Sequence, residues 1–175
     1  MMAAPSRSNP AASQYHPVLR ALFVRPYPAV MGVLNITPDS FSDGGRFIEP
    51  ELALAQAKRM IAEGADILDI GAESTRPYGS KPVTADEELQ RLRDILPAVA
   101  GLGSPVSIDT MKASVAAWAP GNGAVIANDV WGLQRDPDMA RVIADPGAPV
   151  IVMHNRDSVD PAIAIVADMV AFFAR

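Results

Sequence analysis

Five short apolar runs, each cut off by polar residues, set the main constraint on this chain. They are Val30–Leu34 before Asn35, Ile67–Ile70 before Gly71-Ala72-Glu73, and Val106–Ile108 before Asp109-Thr110. The last two are Val125–Ala127 before Asn128-Asp129 and Val150–Met153 before His154-Asn155. Runs this short, β-branched and apolar at nearly every position read as parallel strands buried on both faces. The stretches between them read as helices. Glu51 to Glu63 has Leu54, Ala57 and Ile61 at helical spacing, with Gly64 at the C-cap. Thr84 and Glu87 form a capping box ahead of Leu89, Leu92 and Leu96. Asp136-Pro137 and Pro161 read as the openings of two later helices, and Ala113 to Pro120 as a shorter one.

Alternating strands and helices predict an α/β fold with a parallel sheet. Polar residues following nearly every strand favour the (β/α)8 TIM barrel, whose active sites gather at the C-terminal strand ends, over a doubly wound sheet with one switch point. Five strands leave such a barrel incomplete, so residues 29–175 are expected to form about the first five βα units, with the closing strands still to come. Residues 1–28 are expected to be a disordered tail, since Met1 to Pro17 is rich in Ala, Ser and Pro.

Charge and composition exclude several functions. The 175 residues carry a net charge of −5, which argues against nucleic-acid binding. There is no cysteine, which removes disulfides, thiolate metal sites and cysteine nucleophiles and fits a cytoplasmic protein. The longest apolar tract, Pro161 to Ala174, is too short to span a membrane and contains Asp168.

The candidate chemistry lies just after the strands. Asn35 and Asp39 offer hard oxygens suited to Mg²⁺, and Gly44-Gly45 lets backbone approach a phosphate. Asp69 interrupts an apolar strand, so it needs partners or a neutral state. Ser74-Thr75-Arg76 makes an anion-friendly loop, though Arg76 equally suits a structural ion pair. Asp109 and Asn128 together match the donor and acceptor edge of a guanine-like heterocycle, or else cap the helices that follow. His154 suits a ligand or base less well than a structural role, and Trp131 suits packing.

Gly32 to Gly45, with its Asn35-Ile36-Thr37-Pro38-Asp39-Ser40-Phe41 core, and Gly64 to Pro77 closely resemble the two signature stretches of dihydropteroate synthases. Ser107-Ile108-Asp109-Thr110 and Asn128-Asp129-Val130-Trp131-Gly132-Leu133 resemble that family's next two strand ends, and the likeness runs from about Val30 to Arg175. The resemblance implies a barrel enzyme that condenses a dihydropterin-methyl diphosphate with para-aminobenzoate, releasing pyrophosphate. It implies Asp109 and Asn128 as pterin ligands, Asp109 also favouring positive charge on the pterin, Asn35 as the Mg²⁺ ligand, and Thr75 as substrate-binding. It implies Phe41, Arg76 and Pro77 in two mobile loops over the diphosphate and aminobenzoate, where sulfonamides also bind. The implied partners are these small-molecule substrates, with no nucleic acid and no membrane, and a homodimer for the full-length protein.

The sequence departs from the family at Ala72, where many members have glycine, and at Tyr78, which separates Pro77 from Gly79. The family's later Asp-Pro-Gly, Ser-Arg-Lys and Arg-x-His segments do not occur at matching positions, so residues 1–175 alone are expected to have negligible activity. Two alternatives stand beside this reading: an inactive fragment or pseudoenzyme, and a pterin-binding methyltransferase domain.

Overall fold

A computed structural model describes residues 15–37, 50–74, 82–145 and 147–175. Five parallel strands form one sheet in the order of the sequence. They are β1 (Met31–Asn35), β2 (Ile67–Gly71), β3 (Val106–Asp109), β4 (Ile126–Asp129) and β5 (Val150–Val152). Helices lie before and between them: α1 (Pro17–Phe23), α2 (Pro50–Ala62), α3 (Ala85–Leu92), α4 (Ile95–Ala100), α5 (Ala113–Trp118) and α6 (Met139–Ala144). α7 (Ile165–Phe173) follows β5. This is the arc made by the first five βα units of a (β/α)8 barrel, as the apolar runs predict.

Each face of the sheet has its own cover. Leu34, Leu68, Ile70, Val106 and Ile108 face the helices and pack with Ala53 and Ala57 of α2, Leu92 of α3, Leu96 and Val99 of α4, and Val115 of α5. Ile67 and Ile126 belong to the other face, where Leu22 of α1 packs against them at the N-terminal end. The sequence reading of residues 1–28 as a disordered tail is therefore corrected for 17–28, while 1–14 lie outside the described residues. Pro17 starts α1, Leu22 is buried, and Arg25 pairs with Asp66 at 2.6 Å. A few apolar contacts and one ion pair were enough, and neither partner is near in sequence.

The helix boundaries follow local chemistry. Gly64 takes φ +106, Ala65 N–H bonds Met60 O at 2.9 Å and Gly64 N–H bonds Ile61 O at 3.0 Å, a Schellman stop for α2. Thr84 Oγ1 accepts from Glu87 N–H at 3.3 Å and starts α3. The expected run through Leu96 is broken between Leu92 and Ile95, because Pro97 supplies no N–H and its ring crowds the carbonyl of Arg93. α6 and α7 begin later than Pro137 and Pro161 suggest, at Met139 and Ile165. Asp136 serves two helices at once: its Oδ1 accepts Asp138 N–H at 3.0 Å just ahead of α6, and its Oδ2 accepts Ala113 N–H at the start of α5 at 2.8 Å. Among the described residues no helix is long and apolar enough to cross a membrane.

Candidate functional site

Parallel pairing aligns the polar strand ends. Asn35 is the register partner of Gly71, Gly71 of Asp109, Asp109 of Asn128, and Asn128 of Ile151. Register partners point to one face, so Asn35, Asp109 and Asn128 share a row on the face away from α2 to α5. Gly71 keeps that row open. A Cβ there would meet Asp109 Oδ2 at 3.2 Å.

One layer deeper, Asp69 pairs in register with Ser107. Asp69 is 3% exposed, and its Oδ2 accepts Asn128 Nδ2–H at 3.0 Å. Its Oδ1, like Ser107 Oγ, is buried without a hydrogen-bond partner. Burial raises the Asp69 carboxyl above its ordinary range; the Asn128 amide bond and the Ser107 hydroxyl, which neighbours the carboxylate without reaching good hydrogen-bond geometry, offset this only in part. The carboxylate that interrupts the β2 run thus has its polar partner on β4. Neither Asp109 nor Asn128 caps a following helix: the first turn of α5 is met by Asp136, and Asn128 is turned to Asp69.

The site is strongly acidic. Burial raises Asp109 to about 7, and the charges of Asp69, Glu88, Asp129 and Glu73 add to the effect. Burial also raises Asp129, against the pull of two backbone N–H groups, those of Trp131 and Leu133, each bonded at 2.8 Å. Lys112 is the compensating cation. It binds Glu73 and, at 2.5 Å, the fully buried Glu88. Burial lowers its pKa, and the two carboxylates more than reverse this, leaving it raised. Glu73 Oε1 also accepts Val83 N–H at 3.1 Å, and Arg91 donates to Ala72 O at 2.7 Å, so the chain is tied on both sides of residues 75–81. Sequence reading missed this cluster. Its one signal was Glu88 standing four residues before Leu92, on the apolar face of α3.

An open cleft of about 1370 Å³ lies beside the row, over the loops after β2 to β5, lined among others by Glu73, Lys112, Trp131, Arg135, His154 and Arg156. Arg135 stacks on Trp131 at 4.0 Å and pairs with Asp157 at 2.6 Å. His154 bonds Asp168 of α7 at 2.5 Å and meets Phe172 edge to face, so it holds the last helix to the end of β5. The hydrogen bond from His154, then Arg156, holds Asp168 below the usual carboxylate range. Phe41, Thr75, Arg76 and Pro77, and Asp39 with them, lie outside the described residues.

A row of hard oxygens and carboxylates at the strand ends suits a ligand rich in N–H donors. Among the described residues no three His, Asp or Glu side chains cluster as a metal cage. Asn35, exposed at the end of β1, is a single hard-oxygen donor, which fits an ion that keeps most of its coordination for water and phosphate oxygens.

The "Pterin binding enzyme" family pattern matches residues 31–173. The Bacillus subtilis dihydropteroate synthase is 50% identical over 137 residues, covering 78% of this chain and 48% of that protein. A Clostridium difficile dihydropteroate synthase solved in the presence of pteroic acid superposes with a TM-score of 0.78 at 45% identity, over 83% of this chain and 56% of that one. The Xanthomonas albilineans dihydropteroate synthase solved with 4-aminobenzoic acid superposes with a TM-score of 0.72 at 40% identity, over 84% of this chain and 56% of that one. The chain thus spans about half the length of these relatives.

Proposed function

The chain belongs to the pterin-binding enzyme family, and from that premise we propose that it forms the front part of a dihydropteroate synthase. The observation that carries this reading is the Asp109–Asn128 register pair at the strand ends, in a chain half identical to a named synthase. The reaction joins the para-aminobenzoate amine to the methylene of a dihydropterin-methyl diphosphate. The C–N bond forms, the C–O bond to diphosphate breaks, pyrophosphate departs and the amine loses a proton.

Asp109 accepts from the ring N–H and amino group of the pterin, and its negative charge favours the positive charge that develops as pyrophosphate leaves. Asn128 reads the neighbouring edge. Asn35 is the residue that would hold Mg²⁺, and a bound Mg²⁺ would take up charge on the diphosphate oxygens. Thr75, Phe41, Arg76 and Pro77 contact substrate from the two loops. The whole protein works in the cytoplasm as a homodimer. Positioning and charge placement supply most of the rate, since no residue here needs to form a covalent bond to substrate.

The test is titration of 6-hydroxymethylpterin into the protein as its gene encodes it, alongside formation of dihydropteroate with Mg²⁺ present. The expected result is saturable pterin binding and turnover, both lost on Asp109→Ala while the fold survives. Absence of pterin binding by the folded wild-type protein would overturn the reading. Turnover of a methyl-folate in place of the diphosphate would favour the methyltransferase alternative.

A further inference from the structure

A carboxamide carries no fixed sense of its own, since its oxygen and nitrogen are nearly equal in size and exchange by a half turn. In this chain something fixes it. Asn128 Nδ2 lies 3.0 Å from Asp69 Oδ2, in a buried contact between residues 59 apart in sequence. Asp69 is 3% exposed and Asn128 9% exposed, so water does not readily replace either partner. An ionised carboxylate only accepts. Turning the amide over would set its oxygen against that carboxylate, lone pair facing lone pair.

We propose that Asp69 is a positioning residue that locks Asn128 in one donor–acceptor sense and thereby selects which heterocycle edge the site accepts. This rests on Asn128 facing the pterin, as proposed above. With one N–H given to Asp69, the amide has its oxygen and its second N–H left, in a fixed order. Pterin shows a 2-amino donor beside the bare N1 acceptor. Lumazine, its 2,4-dioxo counterpart, shows a 2-oxo acceptor beside an N1–H donor, the same edge in reverse. A locked amide matches one of these; an amide free to turn matches both. Asp69 does not touch the ligand, and it acts only through Asn128.

The arrangement also explains why a carboxylate is kept inside an apolar strand, at a position where burial works against its charge. A neutral asparagine at 69 would fill the same space at less cost of desolvation. It would also offer Asn128 both a donor and an acceptor, and the lock would be lost.

The experiment measures dissociation constants for pterin and for lumazine at pH 8 by calorimetry, in the protein as its gene encodes it. Asp69→Asn, Asp69→Leu and Ser107→Ala are compared with wild type. Wild type is expected to prefer pterin by about tenfold or more, as a site with committed polar partners does. In Asp69→Asn the preference should fall about tenfold, the worth of one misdirected hydrogen bond, mainly through tighter lumazine binding. The thermal melt of that variant should stay at or above wild type. Asp69→Leu, which offers no partner in either sense, should narrow the preference as well. Ser107→Ala removes a hydroxyl beside Asp69 but leaves the Asp69–Asn128 bond in place, and at pH 8 it should leave the preference intact. An unchanged preference in folded Asp69→Asn would overturn the inference while leaving pterin binding standing. So would an equal loss of preference in Ser107→Ala. A wild-type protein that binds neither compound would overturn the functional reading and this inference with it.

Discussion

Asp109 sits among acids, and that company sets how it responds to pH. Burial first, then the charges of Asp69, Glu88, Asp129 and Glu73, raise its carboxyl to about 7 from an ordinary 3.8. The folded chain therefore holds this proton more tightly than the unfolded chain does. The group's cost to stability is absent below about 3.8 and complete above about 7. Only the ionised form accepts from both N–H donors of a pterin. Pterin affinity should accordingly rise about tenfold per pH unit up to about pH 7 and level off above it. Asp109→Asn should flatten that profile. Calorimetric titrations at several pH values check both, and a wild-type affinity that does not change between pH 5.5 and 8, roughly one unit either side of the titration, would contradict the assignment.

Between elements, close approach matters more than propensity. Gly132 follows the Asp129 turn with φ +60, and Leu133 after it takes φ +65. A Cβ on Gly132 would meet the Phe172 ring of α7 at 2.6 Å. Phe172 also meets His154, and Asp168 one turn earlier is held by His154 and Arg156. The last helix is thus fastened to the ends of β4 and β5 by one ring, one small residue and one ion-pair cluster. Gly132→Ala should cost about 1–3 kcal/mol through overpacking and the left-handed backbone. Urea denaturation checks the magnitude. Hydrogen exchange across 165–173 should accelerate more than exchange in β2 or β3, and equal protection in both would argue that Phe172 is not the anchor.

The molecule as a whole leaves apolar surface uncovered. β1 and β5 are the two edges of the sheet, and Met31 and Val33 on β1 and Val150 and Val152 on β5 are exposed. α7 buries Phe172 but exposes Ile165, Val166, Met169, Val170 and Phe173. An apolar area of this kind binds hydrophobic dyes and promotes association. The 175-residue chain expressed alone should bind ANS strongly and melt over a broad range. A sharp cooperative melt without dye binding would show that these faces find cover within the chain or between copies of it.

Parallel strands buried on both faces must be apolar at nearly every position, which is why five short runs could be read directly as β1 to β5; in this chain β2, β3 and β4 are buried so, while the edge strands β1 and β5 are partly exposed. Their polar endings were equally legible, because a barrel gathers its chemistry where strands give way to loops. The caps at Thr84 and Gly64 were readable too, since a capping bond spans only a few residues. Contacts between distant residues were not. Nothing near Asp69 names Asn128 as its partner, nothing near Glu88 names Lys112, and nothing near Leu22 predicts that α1 packs on the N-terminal end of the sheet's inner face. Sequence periodicity reports which residues are buried because burial repeats with the local geometry of strand and helix. Which buried polar group meets which depends on strand order and register, and those exist only once the sheet has closed the distance between them.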